Sequence, residues 1–174
     1  CFEAAEFAMS QLGFIVENVL LQDALLAALA ATDVSVSFHT PIKSVQKCGG
    51  RYAIEYGAGK TMLPELLIGA DGAASLVRNS AGITVRSWQY AQSAFVTHLQ
   101  PQLSHRNTAW QRFDTNGPVA LLPLCDGRVS TVWTTLPAQA AMLASAPDHQ
   151  VAALLTDATD GVLGTLETAG PRGS

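Results

Sequence analysis

Cysteine, charge and long apolar runs are all scarce in this chain, and each shortage removes a class of protein. The three cysteines, Cys1, Cys48 and Cys125, lie far apart and form no C-x-x-C. They make neither a disulfide framework nor a zinc site, and a reducing compartment is the natural expectation. The four histidines, His39, His98, His105 and His149, include no i, i+4 pair, so no metal site is expected. No Ser-His-Asp or Cys-His arrangement has a recognisable spacing, and no catalytic side chain is assigned. Charged residues make up 14% of the chain, with 10 Lys+Arg against 14 Asp+Glu. A duplex nucleic-acid binder carries a basic surplus, and this chain does not. The longest uncharged apolar run, Ala24 to Ala31, is far short of the roughly 20 residues that span a bilayer. No stretch reads as a transmembrane helix or a signal peptide.

What is present is apolar and structured. Apolar residues make up 48% of 174, which excludes disorder and suffices for one domain or slightly more with a true core. So little charge suggests that a partner, a lipid or further chain covers some apolar surface. The chain opens at Cys1 rather than Met and stops on Gly170-Pro171-Arg172-Gly173-Ser174, turn chemistry with nothing to turn towards. An internal fragment of a longer protein is expected.

Periodicity divides the chain into two halves. Leu21, Leu25, Leu26 and Leu29 line one helical face after Asn18, a candidate N-cap. Val34, Val36 and Phe38 alternate as in a strand, followed by Ile42 to Val45 and Arg51 to Tyr56, with turns at Gly49-Gly50 and Gly57 to Gly59. Leu63 to Ile68, apolar apart from Pro64 and Glu65, is read as a strand buried on both faces, as in a parallel sheet. Ala73 to Ala81 reads as a helix closed by Gly82. Beyond a soft boundary near residue 84, Ala91 to Leu99, Thr108 to Phe113, Val119 to Leu124 and Val129 to Thr135 read as strands of an antiparallel meander. Asn116-Gly117-Pro118 and Asp126-Gly127 separate the last three. Ala138 to Leu155 is helical, interrupted at Pro147. The fold class is mixed α/β.

The stretch Leu66 to Arg78 carries the chemistry. A strand delivers Asp71 at its carboxyl end, Gly72 lets the backbone turn, and a helix follows. Free N–H groups at a helix start suit a nucleotide phosphate, and an acidic side chain accepts hydrogen bonds from sugar hydroxyls. The plainer reading is a strand-turn-helix with Asp71 as a cap.

This stretch resembles the Asp-Gly motif of flavin-dependent aromatic monooxygenases of the para-hydroxybenzoate hydroxylase type. Leu12 to Asn18 and Leu21 to Leu25 resemble the segment that precedes the motif. Ala81-Gly82-Ile83 with Trp88 to Ala94 resembles the start of the substrate domain. Thr108 to Phe113, Gly117 to Leu124 and Val132-Trp133 are similar to the ubiquinone-biosynthesis hydroxylases, most of all the branch acting on 2-octaprenyl-3-methyl-6-methoxy-1,4-benzoquinol. The resemblance covers most of residues 12 to 136. It implies partial FAD-binding elements over residues 1–83 and a truncated substrate-binding domain, antiparallel sheet plus helix, over residues 84–174. It also implies FAD as cofactor, NAD(P)H as co-substrate and a polyprenylated phenol or quinol as substrate. A cytoplasmic protein follows, with peripheral association with the inner membrane or a biosynthetic complex left open.

Carried over by position, Asp71, Gly72 and Arg78 belong to the cofactor motif, and Gln22 sits where relatives place a polar side chain near the ribityl chain. Arg78 also reads as a solvated helix arginine, and Gln22 as an exposed helix glutamine. Ala74 stands where relatives often have Asn. The substrate lies against the antiparallel sheet, on which Gln111 and Phe113 share one strand face and Trp110 and Arg112 the other. Either face could meet the ligand; Gln111 and Phe113 are the candidates. Trp88, Trp110 and Trp133 read as sheet core. Two family motifs, an early G-x-G-x-x-G and a later Gly-Asp, are absent, so this chain alone is expected not to retain FAD. Apolar surface left bare predicts a homodimer. The competing reading is a non-catalytic module that binds a quinone or prenyl lipid.

Overall fold

The computed structural model describes residues 2–115 and 117–173. The chain divides into two compact units, residues 29–88 and residues 1–28 with 89–174. Residues 1–28 thus group with the segment after residue 88, whereas the sequence boundary near 84 placed residues 1–83 together.

The unit of residues 29–88 holds a three-stranded antiparallel sheet in the order β1-β2-β3. Its strands are β1 (Ile42–Cys48), β2 (Arg51–Tyr56) and β3 (Lys60–Met62). Alternation sets its buried face: Val45 pairs with Ile54, and both are buried. The short helix α2 (Leu76–Ser80) follows. It ends in paired backbone bonds, Gly82 N–H to Asn79 O and Ile83 N–H to Arg78 O, with Gly82 at φ +72°. Glycine occupies the left-handed position that closes a helix, where a side chain would be strained.

Two strand expectations in this unit fail. Val34 to Phe38 forms no strand, and Leu63 to Ile68 lies outside β3, with Leu66 and Ile68 each 76% exposed. A strand is defined by its hydrogen-bonded neighbours, and among the described residues neither run has one. The helix expected over Ala73 to Ala81 is also shorter, because Ala73 to Ser75 are used in the turn that leads into it.

The other unit holds a five-stranded antiparallel sheet in the order β5-β6-β7-β4-β8. Its strands are β4 (Ser93–Pro101), β5 (Trp110–Asp114), β6 (Gly117–Pro123), β7 (Val129–Thr135) and β8 (Leu166–Gly173). The expected meander holds for β5, β6 and β7, while β4 lies between β7 and β8. Of the two turns expected here, Asp126-Gly127 is seen, with Gly127 N–H bonded to Leu124 O, whereas Asn116 lies outside the described residues. β7 buries every second residue from Val129 to Thr135. Phe95, Leu99, Val119, Leu121, Val129 and Trp133 form one sheet face. They pack on Ala140 and Leu143 of α3 (Pro137–Ser145) and on Val151 and Leu155 of α4 (Asp148–Ala158). Each fully buried Leu, Val or Phe contributes about 1.5–3 kcal/mol, so this face carries most of the unit's stability. Trp133 belongs to it, whereas Trp110 is 41% and Trp88 68% exposed, contrary to the expectation that all three are core.

Helix α1 (Asn18–Leu29) occupies its expected span, but Leu21 N–H bonds to Glu17 O, so Glu17 holds the cap position and Asn18 is the first helical residue rather than the cap. Its apolar stripe is exposed: Leu21 50%, Leu25 56% and Leu26 40%. β8 was invisible in the sequence because Ala169-Gly170-Pro171 is poor strand material. It pairs with β4 through a register shift between Thr97 and Leu99, the kind of bulge at which an edge strand tolerates proline.

Candidate functional site

The Asp71 loop is built from its own residues. Asp71 Oδ1 accepts from the Ser75 hydroxyl, and Oδ2 accepts from the backbone N–H of Leu76 at 2.7 Å and of Val77 at 3.1 Å. Ser75 Oγ in turn accepts from the Arg78 N–H at 3.0 Å. The Ser75 hydroxyl, and then the Val77 amide, hold the exposed Asp71 carboxyl below its ordinary value. Arg78 Nη2 reaches back to Ala73 O at 2.7 Å, tying the helix to the loop that precedes it. Gly69 is needed for close approach: a Cβ there would lie 2.9 Å from Val77 Cβ and Cγ1. Gly72, at φ +81°, turns the chain with nothing within 4 Å of where its Cβ would be.

This arrangement corrects the expectation of free helix N–H groups. The first-turn amides of Leu76, Val77 and Arg78 are already taken by Asp71 and Ser75, so α2 presents none of them to a phosphate. What remains is acceptor capacity on Asp71 Oδ1, since a carboxylate has about four lone-pair sites. Among the described residues, the amides of Gly72, Ala73 and Ala74 have no protein acceptor. This donor and acceptor set fits a polyol: hydroxyl hydrogens to Asp71, and oxygens to the loop amides. Ser75 is the residue the sequence reading undervalued. It is 6% exposed and orients Asp71, and the Asp-x-x-x-Ser spacing was its signal.

The structure brings Asp71, Gly72 and Arg78 into one loop. Gln22 lies on α1 in the other unit and is exposed. Gln111 and Phe113 lie on the sheet face opposite the helices: Gln111 pairs with Ala120, which pairs with Val132, which pairs with Val96. This face is half-buried or exposed along its length, with Phe113 78% exposed. Trp110 and Arg112 lie on the helix side, where Arg112 Nη1 donates to Asp157 O at 3.3 Å and Ala158 O at 3.2 Å. Arg112 thus caps the C-terminal end of α4, where a cation is favourable. A cavity of about 230 Å³ sits on this side, lined by Trp110, Arg112, Val119, Leu121, Thr159 and Val162 among others. Among the described residues no group of three or more His, Cys, Asp or Glu side chains could hold a metal, and no helix is long and apolar enough to cross a membrane.

Residues 14–165 match the family described as FAD binding domain. The chain belongs to that family. Among its relatives is the 3-demethoxyubiquinol 3-hydroxylase of Escherichia coli, 40% identical over 139 residues, covering 79% of this chain and 36% of the relative. The human mitochondrial ubiquinone biosynthesis monooxygenase COQ6 is 39% identical over 153 residues, covering 82% of this chain and 33% of the relative. The chain therefore spans about a third of the length of these curated relatives. Two solved structures share its fold. The flavin-dependent halogenase CmlS superposes with a TM-score of 0.69 at 17% identity, covering 91% of this chain and 31% of that one. The flavin-dependent monooxygenase PieE superposes with 0.68 at 18% identity, covering 91% and 30%. The FAD binding domain family thus has here a mixed α/β chain with antiparallel sheets, as the resemblance implied.

Proposed function

We propose that this chain is part of an FAD- and NAD(P)H-dependent monooxygenase that hydroxylates a polyprenylated phenol or benzoquinol ring in ubiquinone biosynthesis. The observation that carries this reading is the 40% identity to the demethoxyubiquinol hydroxylase within a matched FAD binding domain. That match favours the enzyme reading over a non-catalytic lipid-binding module.

When bound, FAD supplies the electron-transfer and oxygen-activating chemistry. In the overall reaction one oxygen atom of dioxygen replaces a ring hydrogen as hydroxyl. The other leaves as water, and NAD(P)H provides the two electrons. The chain's own part is to bind and orient. Asp71 accepts a cofactor hydroxyl through Oδ1, Gly72 keeps the approach open, and Arg78 fixes the loop through Ala73 O. Gln22, on α1, is a separate candidate for a polar contact with the cofactor. Gln111 and Phe113 receive the ring on the uncovered sheet face, whose Val96, Ala120 and Val132 give it apolar contact. In this reading residues 1–83 supply cofactor-binding elements and residues 84–174 the substrate sheet. The enzyme works on the cytoplasmic side, peripheral to the inner membrane that holds a polyprenyl substrate or within a biosynthetic complex. Exposed Leu21, Leu25 and Leu26 support self-association of the chain.

A chimera tests the function. Residues 14–165 replace the matching segment of the Escherichia coli hydroxylase in a strain lacking that enzyme. The expected result is a flavin-loaded protein that restores ring hydroxylation, read as quinone product by mass spectrometry. A folded, flavin-loaded chimera that leaves the demethoxy compound unconverted refutes the reading.

A further inference from the structure

Outside the loop and the candidate pair lies a cluster that neither uses: Glu17, His98, Asp126 and Arg128, all in the unit with the five-stranded sheet. His98 is on β4 and pairs with Ser130, which pairs with Leu122. It therefore shares the uncovered face with Val96, Ala120, Val132 and Gln111, one row along. Arg128 Nη1 lies 3.2 Å from His98 Nδ1. Glu17 Oε1 lies 3.6 Å from the same Nδ1. Arg128 is nearer and can only donate, which favours Nδ1 as acceptor and the ring proton on Nε2. Arg128 is held in place by others: Asp126 Oδ2 at 2.7 Å from Nη2, Glu17 Oε1 at 3.4 Å and Ala169 O at 3.3 Å. The bulge in β8 closes over the ring. A Cβ on Gly170 would lie 3.0 Å from His98 Cβ and 3.2 Å from Nδ1, so glycine is what lets the strand pass.

The imidazole is thus clamped along its Nδ1 side. Its side chain keeps 24% of its surface exposed, and among the described residues Nε2 is neither bonded to protein nor buried without a partner. An oriented donor stands at the edge of a sheet face that carries Val96, Ala120, Val132 and Phe113 beside the polar Gln111, Ser130 and Thr134.

We propose that His98 Nε2–H is the hydrogen-bond donor that recognises a ring oxygen, a quinone carbonyl or phenolic oxygen, of a flat apolar ligand on this face. Arg128 is a positioning residue that fixes the donor tautomer, and Asp126 and Glu17 hold Arg128. The inference rests on the reading that the uncovered face takes the ring. The chemistry is complementary: Val96, Ala120 and Val132 offer apolar contact to a ring, and His98, clamped by Arg128 and Gly170, offers an oriented donor to an acceptor at its rim. An anionic headgroup would find Arg128 already engaged by two carboxylates.

The test uses the intact 174-residue chain and two probes. One is a dimethyl-1,4-benzoquinone carrying a single isoprene unit. The other is the same substituted benzene without the ring oxygens. Binding is measured by calorimetry, and the His98 imidazole is followed by long-range proton–nitrogen NMR. The free chain should show the Nε2–H tautomer. The quinone should bind about three- to tenfold more tightly than the hydrocarbon, the worth of one neutral hydrogen bond. It should also shift the His98 Nε2 signal, while the hydrocarbon should not. His98→Leu should erase the preference and leave hydrocarbon affinity intact. His98→Gln, which keeps a donor amide near the Nε2 position, should restore it. Equal binding of both probes, or a preference that survives His98→Leu, overturns the role of His98 and leaves the ring site standing. Binding of neither probe overturns the ring site and this inference together.

Discussion

Replacing Gly69 with alanine tests how the cofactor loop is held. The added Cβ falls 2.9 Å from both Cβ and Cγ1 of Val77 and 3.4 Å from Asp71 Oδ1. Contacts under 3.0 Å force something to move, and here the obstacle is the root of a helical side chain rather than a flexible tip. Overpacking of this kind costs about 1–3 kcal/mol. The helix start must then shift away from Asp71, whose Oδ2 holds the Leu76 and Val77 amides. Native-state hydrogen exchange reads this locally. At 1.4 kcal/mol per factor of ten, Gly69→Ala should speed exchange at Leu76 and Val77 by about five- to 150-fold, with the core of the five-stranded sheet unchanged. Second changes at Val77 sharpen the argument. Val77→Ala keeps the clashing Cβ and should not rescue Gly69→Ala. Val77→Gly removes it and should restore protection, less about 1 kcal/mol for glycine in a helix. Unchanged exchange at both amides in Gly69→Ala, or full rescue by Val77→Ala, refutes the packing account.

Other outcomes follow from the same geometry. The Asp71 carboxyl should titrate below its ordinary value of 3.8 because Ser75 and the Val77 amide stabilise its charged form. Its contribution to the loop is therefore complete above that value and lost as pH falls through the lower folded one; carbon-detected NMR titration checks this, and a midpoint at or above 3.8 contradicts it. Leu155→Ala, at a fully buried α4 position, should cost about 2–5 kcal/mol in urea unfolding, while Leu25→Ala on the exposed stripe of α1 should stay within about 0.5 kcal/mol. The chain alone should purify colourless, since the α2 amides are spent on Asp71 and no G-x-G-x-x-G is present; a stoichiometric flavin spectrum would contradict this.

How much of this was legible in the sequence depends on where the signal is local. Arg51 to Tyr56 and Val129 to Thr135 alternate cleanly, and they form β2 and β7 with those bounds. Pro147 separates α3 from α4, as its missing N–H requires. Leu63 to Ile68 misled because its aliphatic residues report a tendency to be covered, while Pro64, without an N–H for a ladder, and the charged Glu65 argue against a central strand. β8 was missed for the opposite reason: its residues are poor strand formers, and β4 supplies the pairing from far along the chain. The Asp71 loop was readable as a strand-turn-helix motif, but the fate of its amides was not. That depends on Ser75 and on the approach of Gly69 to Val77, which spacing alone does not reveal. The Arg128 cluster joins residues more than a hundred positions apart, Glu17 to Arg128, and left no sequence pattern at all.

The bulged course of β8 also governs how the sheet can grow. Sheets recruit strands along straight edges with regular backbone donors and acceptors. β8 breaks that regularity at Ala169-Gly170-Pro171, and Arg172 is anchored to Ala146 O and Asp148. This rim is a poor template for another chain. The opposite rim, β5, is a single short strand exposed throughout, Trp110–Asp114. Strand addition to this sheet is thus polarised: a newcomer would dock beside β5, next to Gln111 and Phe113, and would compete with whatever occupies that end of the uncovered face.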